Sequence, residues 1–156
     1  MNIFVLDLDP KKAAKYHNNK HVVKMPTESC QLLCSVHHMI SDRTDIPYRF
    51  THKNNPCLLW AKESLSNYMW LLELARSLLD EYTHRYDKKH KTEIAYNWLV
   101  NNIPNIQDKG LTDFPLIMPD EYKSNDIVES YRLLYNKDKL YFCEYKRRNK
   151  PYWLNL

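Results

Sequence analysis

The sequence predicts a single all-α domain over residues 1–156, with about four principal helices following a short extended N-terminal segment. Three observations lead there. From about Lys20 to Ile40, apolar residues cover most of a helical circumference (Val22, Val23, Met25, Cys30, Leu32, Leu33, Cys34, Val36, Ile40). After Asn55-Pro56, Leu59, Trp60, Tyr68, Leu71, Leu72, Ala75, Leu78, Leu79 and Tyr82 recur at helical spacing. Finally, helix-start signals precede these runs, whereas no stretch alternates as a half-buried strand does.

Taken in order, Ile3 to Leu8 is a short apolar run, read as a strand or a buried extended segment. Asp9-Pro10 then opens a first helix, Asp as cap and Pro in the first turn, carrying Lys11 to about Tyr16. Asn18-Asn19 separates it from the Lys20–Ile40 helix, in which Pro26 removes a backbone donor and predicts a kink. Ser41 to Asn54 is a polar connector. The longest helix is expected from Asn55-Pro56 to about Tyr86, and a shorter one from about Thr92 to Asn101. The loop to Asn125 is long enough for a lid or binding role, and its segment Phe114–Tyr122 is too apolar to stand in water. Asp126 with Glu129 caps a last helix expected over about Ile127–Arg147.

Composition narrows the function classes. Gly110 is the only glycine, which excludes Gly-rich phosphate cradles and dinucleotide fingerprints. The four cysteines (Cys30, Cys34, Cys57, Cys143) lie in apolar periodic segments without CxxC or finger spacing, as buried thiols of a cytoplasmic protein do. No signal peptide or membrane-length apolar run is visible. Net charge is +4, and residues 137–150 alone supply six Lys or Arg against Asp138 and Glu144. A basic aromatic region over 137–153 suits a polyanion whose bases can stack, and Lys139, Lys146, Arg147, Arg148, Lys150 and Trp153 are its candidate nucleic-acid contacts.

The candidate site is a polar seam on the second helix. His17, His21, Lys24, Glu28, Gln31 and Ser35 fall within roughly a quarter of its circumference. Charges on a mostly buried helix must be paired or must line a wet pocket, because an unpaired buried charge costs several kcal/mol. Lys24 and Glu28, one turn apart, form the expected working centre: a desolvated lysine is a nucleophile, and a carboxylate beside it can take the proton. His21 is expected to shuttle protons. His17 and His21 also have zinc-ligand spacing, with Glu28 as a third ligand. Lys20 and Lys24 would repel a divalent cation, however, so neither metal nor cofactor is expected. On the last helix, Tyr131 and Arg132 are candidates to clamp a phosphate or carboxylate.

The residues Asp9-Pro10, Lys20-His21-Val22-Val23-Lys24-Met25, Glu28, Gln31, Thr51-His52, Asn55-Pro56-Cys57, Trp60, Ser66-Asn67-Tyr68 and Met118–Tyr122 resemble a family of small bacteriophage proteins of unsettled function. More distantly, the layout is similar to the endonuclease V type pyrimidine-dimer DNA glycosylases of phages. That resemblance rests on a carboxylate on an early helix (here Glu28), a long central helix from Leu59 to Tyr82, and the basic aromatic tail Arg147–Trp153. It implies removal of a damaged or modified pyrimidine from duplex DNA, with or without strand cleavage, in the host cytoplasm if the chain is phage-encoded. Gln31, His52, Asn55, Trp60, Asn67 and Tyr68, beside Tyr131 and Arg132, are the candidate substrate contacts.

One departure matters. Those enzymes attack with the α-amine of a small N-terminal residue exposed by Met removal, and Asn2 disfavours that removal. Lys24 is therefore the expected amine. Two rival readings are an enzyme acting on a free nucleotide or small phosphorylated metabolite, gripped by Lys24, His21 and Arg132, and a non-enzymatic accessory protein that binds a host partner.

Overall fold

The computed structural model describes residues 1–156 and is all-helical, without strands. Its helices are α1 (Pro10–Tyr16), α2 (Asn19–Ile40), α3 (Pro56–Glu63), α4 (Leu65–Tyr86), α5 (Glu93–Asn101) and α6 (Ile127–Leu134). None is long and apolar enough to cross a membrane.

The helix starts follow the capping chemistry of the sequence. Asp9, Asn18, Asn55 and Asp126 each accept a backbone N–H of the following turn through the side chain, and Pro10 and Pro56 occupy first-turn positions where no amide donor is needed. α2 runs through Pro26 as one helix. In the turn before the proline, the Val23 carbonyl is bonded by His90 Nε2 at 2.8 Å, so an acceptor close to the missing donor finds a partner outside the helix.

α2 and α4 form the central pair. α1 and α3 pack on α4, and α5 spans both central helices. The core joins Leu32, Leu33 and Val36 of α2 to Leu71, Leu74, Ala75, Leu78 and Leu79 of α4, all buried. Residues 3–6 are buried as an extended segment rather than a strand. No sheet meets its backbone acceptors: the Leu6 amide donates to the Phe4 carbonyl at 3.0 Å, Arg132 Nε donates to the Leu6 carbonyl at 3.0 Å, and just beyond the segment Trp70 Nε1 donates to the Leu8 carbonyl at 2.9 Å.

Two expected helices differ from the sequence reading. The continuous helix over residues 55–86 is broken at Ser64, whose backbone is extended (φ −149°, ψ 143°). Its hydroxyl lies 2.7 Å from the Gly110 carbonyl and accepts the Lys109 amide at 2.9 Å, and Asp108 takes the Ser66 amide and hydroxyl at the start of α4. The long loop thus docks on the break, and Gly110 supplies the left-handed turn (φ 76°) that lets it do so. The last helix ends at Leu134 rather than Arg147. It loosens into a π turn (Tyr135–Lys139) and a 3-10 turn (Leu140–Phe142) before an extended tail.

That tail is tied down by polar contacts to earlier helices. The Asn19 amide donates to the Glu144 carbonyl at 2.8 Å, the Tyr145 hydroxyl donates to the Tyr16 carbonyl at 2.8 Å, and Arg148 forms two bonds to Glu81 at 2.9 and 2.8 Å. Glu81 is buried together with Arg85, whose guanidinium also reaches Asn19 Oδ1 and the Lys15 carbonyl, each at 3.1 Å. One ionic knot therefore joins α1, α2, α4 and the tail. Burial opposes the Glu81 charge, but the bonds from Arg148 and Arg85 hold its carboxyl below the usual carboxylate range.

Candidate active site

The N-terminal segment, α2, the 117–119 segment and the π turn enclose a cavity of about 370 Å3. His21, Lys24 and Glu28 form its α2 wall, with Met25 beside them; Met1, Asn2 and Phe4 form a second wall, and Ile117, Met118, Pro119, Leu134 and Lys139 complete it. The volume lies in the range of small-molecule sites, roughly 300–1,000 Å3.

Helical periodicity sets the α2 wall. Residues 21, 24 and 28 succeed one another at three and four positions, so they stack along one stripe. Lys24 Nζ is 3.3 Å from Glu28 Oε1, with the lysine side chain 67% exposed and the glutamate 18% exposed. Lys24 therefore stands at the cavity mouth, in contrast to the dry lysine expected from the sequence.

His21 is placed differently again. It is buried, stacks on Phe4 (centroids 4.2 Å, 13° between planes) and has Nδ1 2.6 Å from the Tyr135 hydroxyl. Burial, reinforced by His17, Lys139 and Lys24, pushes its pKa down to about 2, so it is neutral near pH 7. Burial also raises the Tyr135 phenol well above its ordinary range, so Tyr135 keeps its proton. Because the Asn18 amide donates to the Tyr135 oxygen at 3.4 Å, the phenol proton is free to point at His21 Nδ1. His21 then carries its own proton on Nε2, as a neutral donor.

The other seam residues divide. His17 is fully buried against the Ala13 carbonyl (2.6 Å), and its Nε2 has no partner. The Ser35 hydroxyl bonds the Thr51 backbone, and Gln31 is half-buried and outside the cavity wall. No group of three or more His, Cys, Asp or Glu side chains converges with metal-binding geometry, so His17, His21 and Glu28 do not form a ligand set.

Several candidate substrate contacts act as scaffold. Asn55 caps α3 and donates to the Met1 carbonyl at 2.9 Å. The Tyr131 hydroxyl lies 2.7 Å from the Pro115 carbonyl and 2.8 Å from Asn2 Oδ1, while Asn2 Nδ2 donates to the Ile117 carbonyl at 3.0 Å. These two residues hold the cavity's N-terminal and loop walls in place. Trp60 Nε1 and the Asn67 side-chain amide fasten Thr112, and Tyr68 bonds His37. His52 is exposed in the turn before α3 with φ 56°. Arg132 lines a different cavity, of about 470 Å3, and is tied to Leu6 and Asp7.

Tyr131→Phe is accordingly expected to cost about 0.5–1.5 kcal/mol, the net worth of a hydrogen bond to half-buried partners. Thermal unfolding checks this, and a melting temperature equal to wild type contradicts it.

The basic residues do not form one patch. Lys139 belongs to the cavity wall. Arg148 is committed to Glu81 and Arg147 to Asp87 at 2.6 Å, Lys150 reaches the Leu156 carbonyl, Lys146 lies over the Tyr86 ring, and Trp153 packs on Tyr16 and Tyr135. Met1, Asn2, Phe4 and the 117–119 segment were not anticipated as cavity residues. For the 117–119 segment the signal was an apolar loop that had to pack somewhere, and for Met1 and Asn2 it was the N-terminal amine used by the enzymes the layout resembles.

No curated protein and no solved structure matches the chain. A family model described as pyrimidine dimer DNA glycosylase matches residues 1–94, which include the α2 and N-terminal walls of the cavity. With more than half of its length matched, the chain belongs to the pyrimidine dimer DNA glycosylase family.

Proposed function

We propose that the protein removes a damaged or modified pyrimidine from duplex DNA and that Lys24 is the attacking amine. The observation that carries this reading is the Lys24–Glu28 pair at the mouth of a cavity within the family-matched region. A nucleotide turned out of the duplex displaces water from the mouth, and the ammonium passes a proton to Glu28. Lys24 Nζ then bonds to C1′ as the C1′–N bond breaks, and the base departs with the bonding electron pair and takes up a proton. Opening of the sugar ring at O4′ gives an imine. Loss of a C2′ proton from that imine, with departure of the 3′ phosphate, is the lyase step. His21 Nε2–H supplies a neutral hydrogen bond, and Lys139 a positive charge for a phosphate.

Borohydride reduction of the protein mixed with duplex DNA containing a thymine dimer tests this. A covalent adduct is expected with wild type and none with Lys24→Ala. Glu28→Gln should slow adduct formation by about 100- to 10,000-fold, as removal of a general base does. No wild-type adduct, or an undiminished adduct in Lys24→Ala, overturns the lysine assignment; in the second case the mass of the trapped peptide identifies another amine on the wall.

A further inference from the structure

We propose that Tyr141 is a stacking wedge that enters the duplex beside the nucleotide delivered to the cavity. This rests on reading the cavity as the receiver of an extrahelical nucleotide. Tyr141 is 86% exposed, the most exposed large hydrophobic side chain of the chain. It sits at the apex of the 3-10 turn Leu140–Phe142, closed by the Cys143 amide on the Leu140 carbonyl at 3.2 Å and anchored by the buried Cys143. Such a turn holds an aromatic ring outward on a rigid base.

Position and charge name the partner. Phe142 meets Tyr141 edge-on (centroids 4.7 Å) and touches the cavity residue His21 (5.8 Å), so the apex lies at the cavity rim. Lys20 Nζ is 4.9 Å and Lys139 Nζ 6.0 Å from the centre of the same Phe142 ring. The nearby Asp138 carboxylate accepts the Tyr122 hydroxyl at 2.7 Å. An exposed aromatic ring flanked by cations suits a nucleic acid, whose bases stack and whose phosphates pair with lysine. Across the fold, Tyr152 is almost as exposed at 82%, but its hydroxyl is bonded by Arg132 at 3.2 Å.

The test is equilibrium binding, read by anisotropy, to a duplex carrying a tetrahydrofuran abasic analogue with 2-aminopurine as its neighbour. The analogue has no base to release and forms no imine, so the result does not depend on Lys24 chemistry. Wild type is expected to bind and to raise 2-aminopurine fluorescence by unstacking it. Tyr141→Ala should weaken binding about tenfold and abolish the rise, with the salt dependence unchanged because no charge is lost. Tyr141→Phe should behave as wild type, since the ring and not the hydroxyl acts. Wild-type behaviour of Tyr141→Ala, or loss in Tyr141→Phe equal to that in Tyr141→Ala, overturns the wedge and leaves the glycosylase reading intact. Absence of wild-type binding overturns both, whereas failed borohydride trapping with this binding series intact overturns only the lysine chemistry.

Discussion

Between pH 7 and pH 5 the protein is expected to lose about 6 kcal/mol of folding stability through three buried histidines. His17, His21 and His37 are each less than one-tenth exposed. Burial lowers their pKa from 6.5 to about 4, about 2 and about 4, respectively. As pH falls through 6.5 the unfolded chain takes up protons that the folded chain refuses. Stability is therefore complete above pH 6.5 and declines below it, by up to about 1.4 kcal/mol per histidine per pH unit until the folded value is reached. Glu81 acts in the same direction but lower, because its depressed pKa stabilises the fold above the unfolded value of 4.5 and is lost as pH falls below that. Against a typical total of about 5–15 kcal/mol, this predicts acid unfolding in a mildly acidic window. Urea midpoints at pH 7, 6 and 5 check it. His37→Gln should remove about a third of the slope, and a midpoint independent of pH would defeat the account.

Arg85→Ala is expected to destabilise the domain by about 3–5 kcal/mol, the range for breaking a buried ion pair. The Arg85 side chain is fully buried, 2.9 Å from Glu81 Oε1. Removing it takes the Arg85 donor from the Lys15 carbonyl, leaves Asn19 Oδ1 to the Lys146 amide alone, and leaves Glu81 to Arg148 alone. Because Arg148 remains, adding Glu81→Gln to Arg85→Ala should cost less than the two single changes taken separately, which a double-mutant cycle measures. Full additivity, or a loss below about 1 kcal/mol for Arg85→Ala, would show that the knot does not act as a unit.

Much of the fold was legible because its signals are local. The caps Asp9, Asn18, Asn55 and Asp126 bond amides within three residues, so a reader of the sequence sees both partners. The break at Ser64 was not legible, because it is stabilised by Asp108, Lys109 and Gly110 more than forty residues away. The unwinding after Leu134 has the same origin: it accompanies the Tyr135 hydroxyl bonds to His21 of α2 and to its cap Asn18, over a hundred residues earlier. Arg85 sits in the last turn of α4, where any cation complements the helix dipole, and only its burial among four chain segments shows it to be a clamp.

The sequence by itself determined that the protein is helical, that α2 carries His21, Lys24 and Glu28 on one stripe, and that residues 1–94 mark it as a pyrimidine dimer DNA glycosylase family member. These follow from a period of 3.6 residues and from side chains acting on near neighbours. Tertiary structure alone decided that the stripe borders a cavity, that Lys24 stands in water while His21 is held neutral, and that the tail's arginines are paired, Arg148 with the buried Glu81 and Arg147 with Asp87 at the surface. Solvation and pairing depend on what packs opposite a residue, and here the opposing walls come from the far ends of the chain.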